Sequence, residues 1–118
     1  MKTKKILVVD DEPLTCDLIS KILGINGFAT AIVTNHKKVL ETAKNEKPDL
    51  ILMDYHLGAT HSLEILQLLK AQTWARDIPV IITSGIDRNS VALDAGADAF
   101  LLKPFDWTEL VAAVNNFV

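Results

Sequence analysis

The sequence predicts an α/β protein: one doubly wound, five-stranded parallel sheet with five helices on its two faces. Three observations predict it. Five apolar runs of strand length, Ile6–Val9, Ala29–Val33, Leu50–Met53, Val80–Thr83 and Ala99–Leu102, recur along the 118 residues. Longer segments with helical spacing separate them, and that alternation implies right-handed βαβ crossovers. Several of the runs are unbroken, as expected of strands covered on both faces.

Each element has its own signal. Ile6-Leu7-Val8-Val9 ends in Asp10-Asp11-Glu12, and Pro13 then suits a first helical position. Leu14, Leu18 and Ile22 fall at i, i+4 and i+8, which makes them the expected buried face. Gly24 and Gly27 are expected to stop that helix. Ala29–Val33 is the least distinctive strand, since Ala29, Thr30 and Ala31 also suit a helix. Residues 37–45 repeat the helical pattern more weakly through Val39, Leu40 and Ala43, ending before Pro48. The third helix starts near Ser62, with Glu64 in its first turn, and buries Leu63, Leu66 and Leu69. Residues 89–95 form a short fourth helix ending at Gly96. The fifth starts at Asp106, an N-cap with Glu109 three residues on as its capping-box partner, and buries Leu110, Val111 and Val114. The flavodoxin-like strand order 2-1-3-4-5 sets the first and third strands side by side, with the order reversing between them. Residues 1–118 read as one domain without linker or repeat.

Composition narrows the function. Nearly half the residues are apolar, which excludes a disordered tail. The net charge is −3, and no basic cluster exists beyond Lys2, Lys4 and Lys5, so direct nucleic-acid binding is not expected. A lone cysteine, Cys16, permits no intrachain disulfide and points to a reducing compartment. The basic start is followed by an apolar run cut short by Asp10-Asp11-Glu12, too short for a signal sequence. Nothing approaches the roughly 20 apolar residues of a membrane span. A soluble cytoplasmic domain is expected.

The chemistry gathers at the carboxyl ends of the strands, where open α/β sheets bind ligands. With the first and third strands adjacent, Asp10, Asp11 and Asp54 converge. Two unit charges 4 Å apart cost about 1 kcal/mol in water and about 4 kcal/mol at an effective dielectric of 20. Either one carboxyl retains its proton or a cation fills the gap. All the candidate ligands are hard oxygens, which makes Mg²⁺ the natural cation. Thr83-Ser84-Gly85 ends the fourth strand with hydroxyls and leaves open space at the glycine. Lys103-Pro104 ends the fifth, and an X-Pro bond is able to turn cis. Three carboxylates, a hydroxyl and an ammonium suit a phosphoryl group bound through a metal, with Asp54 as nucleophile of an acyl phosphate.

Those pieces in that order, Asp10-Asp11, Asp54, Ser84-Gly85, Phe100 and Lys103-Pro104-Phe105, resemble the receiver (response-regulator) domain of two-component signalling over essentially the whole chain. The resemblance implies a switch rather than an enzyme, which takes part in its own phosphotransfer and autodephosphorylation. Asp54 would accept a phosphoryl group from a histidine kinase or phosphotransfer protein. Mg²⁺ would be held by Asp11, Asp54 and the backbone carbonyl of His56, with Asp10 acting largely through water. Ser84 and Lys103 would bind the phosphoryl oxygens, and Ser84 and Phe100 would form the switch pair. The face of fourth helix, fifth strand and fifth helix would carry the signal to an effector or a second copy. His56 and Ile86 would tune the lifetime of the phosphate.

The chain departs from that pattern after Asp54. A Met-Pro and an Asp-Gly commonly follow the acceptor, where this sequence has Leu57-Gly58 and His61-Ser62. A looser loop is expected, with Ser62 capping the third helix. This departure keeps open an alternative, a receiver-shaped interaction module that needs no phosphate. An aspartate-nucleophile phosphohydrolase fits less well, because the second residue after Asp54 is His56 rather than an acid. His56 and His61 read as surface residues rather than a zinc site. Cys16 reads as a partly covered spectator. Trp107 either marks a partner contact or packs on the Phe105 turn, and Trp74 is expected to fold over the third helix.

Overall fold

The computed structural model describes residues 3–57 and 60–118. In chain order the elements are β1 (Lys5–Val9), α1 (Pro13–Ile25), β2 (Ala29–Val33), a 3₁₀ turn (His36–Lys38), α2 (Val39–Glu46), β3 (Leu50–Asp54), β4 (His56–Leu57), β5 (Thr60–His61), α3 (Leu63–Ala71), β6 (Val80–Ser84), α4 (Asn89–Asp94), β7 (Ala99–Leu102) and α5 (Trp107–Asn115). Five of the strands form one parallel sheet in the order β2-β1-β3-β6-β7. This is the expected 2-1-3-4-5 order, because β6 and β7 are its fourth and fifth strands.

The period-2 alternation of each strand divides the core into two layers. Ile6 and Val8 of β1 face Cys16, Ile19 and Leu23 of α1 and Leu110 and Val114 of α5. Leu7 and Val9 belong to the other cluster, with Ala43 of α2, Leu66 and Leu69 of α3, and Ala92 of α4. Both faces of β1 and β3 are therefore covered, which is why their sequences are apolar without a break.

Two aspartates stitch the amino edge of the sheet with the same pattern. Asp49, one residue before β3, donates its N–H to the Lys5 carbonyl at 2.8 Å and accepts the Lys5 N–H on Oδ2 at 2.8 Å. Asp98, one residue before β7, donates to the Val80 carbonyl at 2.9 Å and accepts the Val80 N–H on Oδ2 at 2.8 Å. Lys70 Nζ adds an ion pair to Asp98 at 3.0 Å.

Several expectations need correction. The buried face of α1 is Cys16, Ile19 and Leu23, whereas Leu14 is 77 % and Leu18 61 % exposed. Two apolar stripes at helical spacing run along this helix, so periodicity alone did not set its rotation. Cys16 is consequently fully buried rather than partly covered. Gly24 lies within α1, and the chain turns at Gly27, whose φ of 90° needs a glycine. Helix α2 is preceded by a 3₁₀ turn in which Asn35 Oδ1 accepts the Lys37 N–H. After Asp54, His56 and Leu57 pair antiparallel with His61 and Thr60, whereas the expectation of a looser loop falls partly on Gly58, which with Ala59 lies outside the described residues. Ser62 precedes α3 but its side chain makes no cap bond. Its backbone is already helical there, and its buried hydroxyl has no hydrogen-bond partner among the described residues. By contrast, Asp106 and Glu109 form the full capping box of α5.

Candidate functional site

The carboxyl edge of the sheet takes its geometry from strand register. Val9 of β1 lies opposite Met53 of β3, so Asp10 leaves its strand next to Asp54. Oxygens of Asp10, Asp11 and Asp54 all lie within 4.8 Å of one another. Asp10 is 4 % and Asp54 9 % exposed, and Asp11 faces solvent. Glu12 N–H donates to Asp10 Oδ1 at 3.0 Å, which fixes that carboxylate. Lys103 reaches in from the end of β7, its Nζ 3.0 Å from Asp54 Oδ1 and 3.3 Å from Asp10 Oδ2. The Lys103-Pro104 peptide bond is cis.

Charge and burial pull against each other here. Burial pushes the Asp10 carboxyl above the usual range, the Glu12 N–H and Lys103 pull it back, and the Asp54 charge pushes it up again. For Lys103, burial favours the neutral amine. The hydrogen bond to Asp54 and the charges of Asp54 and Asp10 outweigh it, so its pKa rises above the ordinary lysine value. Cys16 lies beneath, its Sγ–H donating to the Asp10 carbonyl at 3.3 Å. Burial, then the Asp10 charge, pushes this thiol up to about 11, so it stays protonated at neutral pH. It holds the turn and is no nucleophile.

The fourth strand supplies two hydroxyls, and they do different things. Asp54 is in register with Thr83, and Thr83 Oγ1 donates to Asp54 Oδ1 at 3.3 Å. The sequence names Thr83 among the strand-end hydroxyls without a role of its own, although parallel register with period 2 puts its side chain on Asp54's side of the sheet. Ser84, the candidate switch residue, is 1 % exposed, and its Oγ accepts the Ile86 N–H at 3.2 Å. Ser84 is two residues beyond Ile82, which faces the cluster against which Phe100 packs. Ser84 and Phe100 therefore share one side of the sheet. A Cβ built at Gly85 meets nothing within 4 Å, so the space above the site is open.

The remaining candidates are scattered around this centre. His56 is exposed and meets the Tyr55 ring edge-on at 4.8 Å. His61 pairs with it in the short hairpin, and Ile86 is 58 % exposed. Trp107 is exposed and, with Leu18, Ile19, Ile22, Phe105 and Lys103, lines a groove of about 530 Å³ beside the acids. Trp74 is half-buried and packs against the cluster that contains α3. In the described residues, no helix is long and apolar enough to cross a membrane.

Three hard carboxylate ligands at this spacing fit a small divalent cation such as Mg²⁺, which is usually held by one or two carboxylates and waters. Comparison with known proteins points the same way. The response regulator receiver domain family matches residues 6–115. The DNA-binding response regulator MtrA of Mycolicibacterium smegmatis is 32 % identical over 115 residues, covering 95 % of this chain and 49 % of that protein. The chain thus spans about half the length of the curated relatives it matches. The chemotaxis response regulator CheY4 of Vibrio cholerae shares the fold, with a TM-score of 0.92 at 19 % identity, covering 99 % of this chain and 100 % of that one. The receiver domain of the sensor histidine kinase PA1611 of Pseudomonas aeruginosa has a TM-score of 0.87 at 25 % identity and 98 % coverage of both chains. That structure carries a magnesium ion coordinated in its active site cleft.

Proposed function

The chain belongs to the response regulator receiver domain family, and from that premise we propose that residues 1–118 form one phospho-accepting switch with Asp54 as the acceptor. The observation that carries this reading is the cluster of Asp10, Asp11 and Asp54 with Lys103 at 3.0 Å from the acceptor oxygen. In the proposed step a carboxylate oxygen of Asp54 attacks the phosphorus of a phosphohistidine on a histidine kinase or phosphotransfer protein. The new P–O bond forms as the P–N bond breaks, and the imidazole leaves with the electron pair. Lys103 faces the acceptor oxygen and would offset charge on the phosphoryl oxygens. Ser84 would give up its bond to the Ile86 N–H and donate its hydroxyl to one of those oxygens, and Phe100 would follow on the same side of the sheet.

Asp11, Asp54 and the backbone carbonyl of His56 would hold Mg²⁺, with Asp10 acting through water. The ion would supply charge neutralisation at the transferring phosphoryl group. The added group carries roughly −1.5 to −2 charges, and it acts only by favouring one conformer over another. The face of α4, β7 and α5 would report that shift to an effector or a second copy. Direct contact with nucleic acid is not part of the proposal. The net charge is −3, and the DNA binding in MtrA's name belongs to a protein about twice this length.

Intact-mass measurement with Mg²⁺ and acetyl phosphate tests the reading. One added phosphoryl group is expected, absent when Mg²⁺ is chelated. An unmodified mass with the metal bound would overturn it. Partner binding unchanged in both Asp54→Ala and Asp54→Asn would favour the phosphate-independent interaction module instead.

A further inference from the structure

Arg88 stands where the loop after β6 meets α4, and its guanidinium carbon lies 4.5 Å from the centroid of the Tyr55 ring. The residue is half-buried, and its Nε is buried with no hydrogen-bond partner among the described residues. A guanidinium N–H removed from water without an acceptor costs stability. The π-face of Tyr55 is the compensating contact. Tyr55 follows the acceptor directly and is only 8 % exposed. Its N–H donates to the Thr83 carbonyl at 2.7 Å, and its carbonyl accepts the Ser62 N–H at 2.8 Å. The ring is thus a fixed post at the exit of β3. The loop that carries Arg88 begins at Ser84, whose Oγ accepts the Ile86 N–H at 3.2 Å. Segment 84–88 is pinned at both ends, by Ser84 to its own turn and by Arg88 to the acceptor strand.

We propose that the Arg88–Tyr55 stack is a latch. Arg88 is a positioning residue that acts through Tyr55 and opposes the movement of Ser84 toward a phosphoryl group on Asp54. This rests on the reading of Asp54 as acceptor and Ser84 as phosphoryl ligand. To carry its hydroxyl to a phosphoryl oxygen Ser84 would have to move, and residues 84–88, tied to it through the Ile86 N–H, would shift with it. The stack resists that shift and biases the domain toward the unphosphorylated arrangement by the strength of one cation–π contact. Such a contact changes a conformational equilibrium several-fold, enough to tune the switch without blocking it. Because α4 begins at the next residue, its release also frees the first turn of that helix.

The test compares substitutions that keep or remove the charge and the ring in the full chain, with Mg²⁺ and acetyl phosphate as the donor. Arg88→Met keeps the stem but loses the cation, and is expected to be phosphorylated roughly three- to ten-fold faster. Arg88→Lys and Tyr55→Phe keep both partners and stay close to wild type. Tyr55→Leu matches Arg88→Met, and the double variant is no faster than either single one. Equal rates for Arg88→Met and Arg88→Lys, or additive effects in the double variant, would overturn the latch while the acceptor reading stands. No phosphoryl group on the wild-type protein would overturn the acceptor reading and the latch with it. Should Tyr55→Leu fail to fold, the Met and Lys variants at Arg88 decide the matter alone.

Discussion

At the amino edge of the sheet, Asp49 and Asp98 each sit one residue ahead of a strand and exchange two hydrogen bonds with the first residue of the strand alongside. At the carboxyl edge, Asp10, Asp11 and Asp54 crowd within 4.8 Å of one another, with the Lys103 ammonium against two of them. The residue type is the same, but Asp49 is half-buried and Asp98 exposed while Asp10 and Asp54 are buried, and their partners differ. The amino-edge acids are answered by backbone N–H groups that would otherwise go unpaired, and they hold strands together. The carboxyl-edge acids repel one another and leave the local charge unbalanced, which costs stability and, on the proposed reading, would suit the edge to a cation and a phosphoryl group. An aspartate's role is read from what satisfies it.

The comparison breaks most directly at the acceptor. Asp54→Asn is expected to abolish phosphorylation by acetyl phosphate in intact-mass spectra while the protein stays folded. Residual stoichiometric labelling would move the chemistry to another acid. Next in size, Lys103→Met is expected to slow phosphorylation by about a hundred-fold, measured as the initial rate at saturating Mg²⁺.

At the other edge the effects should reverse in kind. Asp98→Ala leaves the Val80 N–H without its carboxylate and is expected to cost about 1–3 kcal/mol in urea unfolding, with phosphorylation unaltered. A loss of labelling in the folded variant would erase the distinction between the two edges. The smallest effect carries the opposite sign. In Mg²⁺-free buffer Asp10→Asn is expected to raise Tm by a few degrees, because an ionised group that is buried and close to Asp54 becomes neutral. Since the Asp10 pKa is raised in the fold, its contribution to stability is fully present below the unfolded carboxyl range. It is lost as pH rises through the folded value. The gain from Asp10→Asn should therefore grow with pH over that window and shrink when Mg²⁺ is added.

Much of this was legible in the sequence, for a physical reason. Unbroken apolar runs ending in Asp10, Asp54, Ser84 and Lys103 put all four at strand ends, and parallel register alone brings Asp10 and Asp54 together. The capping box at Asp106 and Glu109 is a local motif and was equally readable. What stayed hidden depends on rotation or on contacts distant in sequence. Helix α1 carries two apolar stripes, so Leu14-Leu18-Ile22 looked as good a core face as Cys16-Ile19-Leu23, and only the packed structure decides. The β4–β5 pair has two residues per strand, too few for any period. Ser62 has the right type and place for a cap, but its backbone is already helical and its hydroxyl makes no cap bond. Arg88 over Tyr55 joins residues with no sequence pattern between them.

Lys103 and Asp10 are 93 positions apart in the chain, although their charged atoms stand 3.3 Å apart. During synthesis the acids therefore emerge long before the ammonium that meets them. A nascent or partly melted chain holds these carboxylates without their counter-charge. On the proposed reading, phosphorylation of Asp54 would therefore require the last strand to be docked.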